Sequence, residues 1–129
     1  MNHFNFEKLI NYLKKIPAID ASISNGVFDN NLWWIKFQID ITHKLAWQVV
    51  QEIGHVTNYL SLEEKLPTTF YPVSAPPYLN GGPKDYLYWV IESTTIDFSP
   101  DDLQEWLEGR LPRPVDDVEQ WGFEEDNDD

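Results

Sequence analysis

The chain has 129 residues, 42% of them hydrophobic and including six Trp, six Tyr and seven Phe, so one domain of this length can bury a core without metal or disulfide. It has no Cys, which excludes thiol catalysis, Cys-ligated zinc and a disulfide framework and fits a reducing, cytoplasmic setting. The net charge of −13 is uneven: residues 92–129 carry 14 acids against Arg110 and Arg113, while residues 1–91 hold eight acids and seven Lys.

Such a field repels nucleic acid and anionic lipid and draws basic partners. No apolar run reaches the length of a membrane span. The start, MNHFNFEKLI, lacks a basic region followed by an apolar block, which argues against a secretory signal.

Phe6, Leu9, Ile10, Leu13 and Ile16 recur at helical spacing. Asn5 is the expected cap, and Pro17 ends the helix by disfavouring helical geometry at Ile16. Residues 19–40 read as a hairpin. Its second arm, LWWIKFQID, alternates Trp33, Ile35, Phe37 and Ile39 with Trp34, Lys36, Gln38 and Asp40, so one face is wholly apolar. The first arm, about residues 21–28, is weaker. Asp29-Asn30-Asn31 is the expected turn, because Asn and Asp tolerate left-handed backbone; Asn25-Gly26 is a rival turn or bulge.

Thr42 is placed to cap a second helix over about residues 43–60. Leu45, Val49, Ile53, Val56 and Leu60 form its inner stripe, with Trp47 at the flank and Gly54 as a costly interior residue. SLEEKL, residues 61–66, suits one further turn. Residues 68–74 read as a strand that Pro72 confines to an edge. The loop that follows is rich in Pro and Gly and serves as a rigid connector, with Tyr78 and Asn80 as candidate rim contacts. Residues 86–92 form the next strand, apolar on both faces and therefore expected centrally in the sheet.

Ser99-Pro100-Asp101-Asp102 is a helix start, with Ser99 as cap, Pro100 at the first position and Asp102 closing a capping box. Leu103, Trp106 and Leu107 face the core, Asp101, Glu105 and Glu108 face outward, and Gly109 marks the end. Pro112 and Pro114 keep the next stretch extended, and Val118, Trp121 and Phe123 are anchors near the end. The expectation is an α+β fold, an antiparallel sheet of about four strands with helices packed on it, in the order α-β-β-α-β-β-α. Residues 1–123 form one domain and residues 124–129 an acidic disordered tail.

No catalytic constellation stands out, so the chain reads as a binding protein and not an enzyme. His43 and His55 are twelve residues apart on different helix faces, which does not suit a helical metal pair, and no cofactor motif is present. Asn80-Gly81-Gly82-Pro83 lacks the Lys-Ser/Thr ending of a phosphate loop and precedes a strand. The acid pairs, such as Asp116/Asp117, read as solvated groups; a carboxylate-based enzyme is the third alternative.

The acidic surface with excess Trp suits a protein that blocks a basic partner, because Trp is a favoured interface anchor. Asp101, Glu105, Glu108, Asp116, Asp117 and Glu119 supply the field in this reading, and Trp34 and Trp121 the anchors. In composition alone the chain resembles the immunity proteins of bacterial toxin systems, which are also small, acidic and Cys-poor. That resemblance implies a basic toxin domain, such as a nuclease, as partner. Secretion chaperones, small acidic proteins that hold a partner peptide, supply the alternative.

Overall fold

The strictly alternating LWWIKFQID segment becomes the backbone of the fold. In a computed structural model, which describes residues 4–20, 22–59, 66–73 and 86–121, it forms strand β2 (Trp33–Asp40). The remaining elements are helix α1 (Glu7–Leu13), β1 (Ser24–Val27), helix α2 (Ala46–Gly54), β3 (Thr68–Val73), β4 (Tyr86–Ser93) and helix α3 (Pro100–Arg110). A π-helical turn, His55–Tyr59, extends α2, and a 3-10 turn, Val118–Trp121, closes the described chain. The sheet order is β1-β2-β4-β3, and all pairings are antiparallel. This is the expected α+β architecture in the expected order. The predicted turn over residues 61–65, the Pro/Gly loop at 74–85 and the acidic tail lie outside the described residues.

One face of the sheet carries the core. Trp33, Ile35, Phe37 and Ile39 of β2 are fully buried there, and the ladder sets Ile35 beside Ile91 and Phe37 beside Trp89. From the helices, Leu9 and Leu13 of α1, Val49 and Ile53 of α2, and Leu103 and Leu107 of α3 complete it. Phe70 of β3 stacks on Trp89 with ring centroids 4.9 Å apart. Trp33 is the pivot: its indole N–H donates to the Phe98 carbonyl at 2.7 Å, its backbone N–H to Ser93 Oγ at 2.9 Å, and Phe6 meets its ring edge-on. A buried indole whose polar atom is satisfied adds apolar burial without a desolvation cost.

Local chemistry explains the boundaries. The N-cap position of α1 falls to Phe6, one residue later than expected, and Asn5 Oδ1 accepts the Glu7 N–H at 2.8 Å just ahead of the helix. The hairpin turn falls at residues 29–31 as expected, with Asn31 at φ 69° and the Phe28 N–H bonded to the Leu32 carbonyl at 2.7 Å. Pro72 sits on the edge strand β3, where a missing N–H is tolerated. Ser99 and Asp102 form both hydrogen bonds of the capping box.

Four expectations need correction. Helix α2 starts later than residue 43, and Thr42 is not its cap. Asp40 Oδ1 takes both the N–H and the hydroxyl of Thr42, and His43 Nδ1 takes the Leu45 N–H, so these side-chain bonds hold residues 40–45 in turns. Second, the helix expected over residues 43–60 does not stay α-helical throughout: its α-helical part ends at Gly54. The backbone widens into the π turn just beyond it, and the Thr68 hydroxyl bonds the Thr57 carbonyl at 2.9 Å, tying that turn to β3. Third, α3 runs one residue past Gly109 and ends at Leu111, whose extended backbone is what a residue before proline prefers. Fourth, β4 is central as expected, but among the described residues the helices cover only one of its faces.

Candidate functional site

Two surfaces contain most of the candidate residues. The first is the outer side of α3 and the chain that follows it. The i, i+4, i+7 spacing of Asp101, Glu105 and Glu108 follows from Leu103 and Leu107 being fixed in the core. Glu105 and Glu108 are exposed, and Glu108 Oε1 accepts from Gln104 Nε2 at 2.7 Å. Asp101 is half-buried, and its Oδ1 is enclosed without a hydrogen-bond partner among the described residues. Past the helix, Asp116 and Glu119 are exposed, whereas Asp117 is half-buried and its Oδ1 accepts the Glu119 N–H at 3.0 Å.

Cations interrupt this surface. Tyr12, Lys15, Glu108, Arg113, Pro114 and Asp116 line a groove of about 530 Å³ between α1 and the segment after α3. The Tyr12 hydroxyl donates to the Leu107 carbonyl at 3.3 Å and is pushed up to about 12, first by burial and then by the nearby Glu108 carboxylate, with Arg113 opposing. Arg110 lies over the Trp106 ring at 5.5 Å, which holds that half-buried indole at the edge of the core. Five of the 14 acids of residues 92–129 lie beyond Trp121 and so outside the described residues.

Trp121 is not a surface anchor. It is 4% exposed, belongs to the core, and donates its indole N–H to the Val115 carbonyl at 2.8 Å. The 3-10 turn folds the chain back so that this ring returns to Val115 and joins the core cluster, which spacing along a Pro-rich segment does not reveal. Tyr78 and Asn80 lie outside the described residues. Trp47, in the first turn of α2, is 58% exposed.

The second surface is the sheet face opposite the core. Trp34 on β2 lies across Gly26 of β1, and only a residue without Cβ permits that approach: a Cβ there would stand 2.6 Å from Cζ2 of the indole. Phe28, Trp34, Val73 and Val90 supply the apolar walls of an open groove of about 470 Å³. Lys36 and Glu92 supply its charges. The Lys36 ammonium sits 5.2 Å from the Tyr88 ring centroid. The Tyr71 hydroxyl donates to Glu92 Oε2, and this bond to the carboxylate is the main reason that Tyr71 is pushed up to about 12.

Of this second surface, sequence reasoning singled out Trp34 alone. The signal for the rest was period-two alternation: Tyr71 and Val73 on β3, and Val90 and Glu92 on β4, share the parity that points away from the core. Trp34 therefore stands with Lys36, Val90 and Glu92 and not with the acids of α3 in any hydrogen-bonded or groove-lining group.

Among the described residues no cluster of three or more His, Asp or Glu is placed to hold a metal ion, and His43 Nδ1 is engaged by the Leu45 N–H. Asp40 is held below the usual carboxylate range by the Thr42 hydroxyl and N–H, which is accounted for by its turn. No described helix is long and apolar enough to cross a membrane. The fold and surfaces thus define a two-layer α+β protein with an open aromatic sheet face and an acidic third helix. Compared with protein families, curated proteins and solved structures, the chain shows no significant match.

Proposed function

We propose that the protein is a cytoplasmic binding protein that occludes a basic site on another protein, as an immunity or inhibitor protein does for a bacterial toxin domain such as a nuclease. The observation that carries this reading is the exposed carboxylate set Glu105, Glu108, Asp116 and Glu119 along one helix and its following turn, in a chain of net charge −13. Mechanistically, the carboxylates stand where phosphates would bind and exclude them, and no bond is made or broken. Fixed negative charge on a rigid helix raises encounter rates with a basic surface by about 10- to 1,000-fold at low salt. Trp34 in its groove and exposed Trp47 are the aromatic contacts available to such a partner. Trp121 has no part in it.

The test is co-expression with the product of the adjacent gene, followed by titration of the purified pair at rising salt. Tight binding to a basic toxin domain, with an association rate that falls as salt rises and falls again in E105Q/E108Q/D116N, is the expected outcome. Binding that ignores salt and survives those substitutions refutes the electrostatic mechanism. The second reading, a chaperone or adaptor holding an extended partner peptide, draws on the open groove beside β1. Binding of unfolded segments in preference to a folded domain would favour it.

A further inference from the structure

We infer that the β1 edge pairs antiparallel with the β1 edge of a second copy, joining two four-stranded sheets into one. β1 ends the sheet, and among the described residues nothing pairs with its outer side. The two edges differ in how they are guarded. β3 carries Pro72, whereas residues 21–28 contain no Pro, Lys or other charged residue, so of the usual devices against edge pairing β1 keeps only its shortness, four residues.

The backbone direction is set by the hairpin. The Phe28 N–H bonds the Leu32 carbonyl, so in the antiparallel ladder residues 24, 26 and 28 turn their peptide groups toward β2. Asn25 and Val27 then turn theirs outward. A register in which Gly26 faces its own copy sets Asn25 opposite Val27 of the other chain and forms both hydrogen bonds of each such pair. A strand edge is self-complementary under a two-fold axis, so no side-chain match is required.

Side chains and charge favour a second copy as occupant. Gly26 has no side chain at the axis, and the Trp34 indole lying over it approaches the equivalent indole across the axis. Val27 and Phe28 are 43% and 42% exposed and flank the joint. In this register Asp29 faces Ile23 and Asp20 faces Leu32, so no acid meets an acid although each chain carries −13. A basic strand finds no countercharge within residues 21–28, and the charged neighbour on β2 is Lys36, opposite Ser24.

Sedimentation velocity of the full chain across a wide concentration range tests this. A species of twice the 15.1 kDa chain mass is expected, and it should gain population as salt rises, because screening relieves repulsion between the copies. That dependence is opposite in sign to the one expected for a basic partner, so the two proposals fail independently. N25P removes an outward N–H without touching the β1–β2 ladder and should abolish the dimer with far-UV circular dichroism unchanged. V27K, a backbone-neutral change, should do the same if N25P disturbs folding. A monomer at every concentration in high salt, or a dimer that survives V27K, overturns the inference.

Discussion

Replacing Gly26 with Ala tests the packing on which the open sheet face depends. The new Cβ would sit 2.6 Å from Cζ2, 2.7 Å from Cε2 and 2.8 Å from Nε1 of Trp34. Carbon atoms in contact prefer about 3.5–4.0 Å, so the rigid indole must swing off β1. Losing burial of roughly 60 Å² of ring surface costs about 1.5 kcal/mol. Against this, Ala in a strand gains about 0.5–1 kcal/mol over Gly through the unfolded chain. The net expectation is a destabilisation of about 1 kcal/mol, equivalent to a fall of about 3–6 °C in Tm for a chain of this size. Thermal unfolding followed by circular dichroism measures it, and a red shift in indole emission reports the displaced ring. A double-mutant cycle isolates the cause: with Trp34→Ala in place the same Gly26→Ala change should stabilise by about 0.5 kcal/mol. An equal loss of stability in both backgrounds would refute the account.

The other predictions concern caps, buried hydrogen bonds and pH. Ser99→Ala removes the acceptor for the Asp102 N–H and should cost about 1 kcal/mol in urea unfolding with an unchanged m-value. Trp121→Phe leaves the Val115 carbonyl without its indole donor and should cost about 1–3 kcal/mol, whereas a surface anchor would leave stability unchanged. Tyr12 and Tyr71 both rise from 10.0 to about 12, so the folded state holds their protons more tightly than the unfolded chain. Their contribution is complete below pH 10 and is lost as pH climbs through 12, and Tyr12→Phe should shrink the loss of stability measured across that window.

The amino-acid sequence by itself determined what repeats along the chain. Period-two alternation defined β2 and which of its faces is the core, because strand side chains alternate by geometry whatever surrounds them. Ser99, Pro100 and Asp102 fixed the start of α3 through bonds closed within four residues. Pro72 announced an edge strand because proline lacks a donor. Tertiary structure decided what depends on distant residues. The fate of each Trp is the clearest case: Trp121 is core because a turn returns it beside Val115, Trp106 stays at the margin under Arg110, and Trp34 lies flat because Gly26 sits on the neighbouring strand. The late start of α2 depended on Asp40 and His43 side chains outbidding the helix for backbone N–H groups. The groove of Trp34, Val90 and Tyr71 exists only because three strands come into register, and no single segment of the sequence contains it.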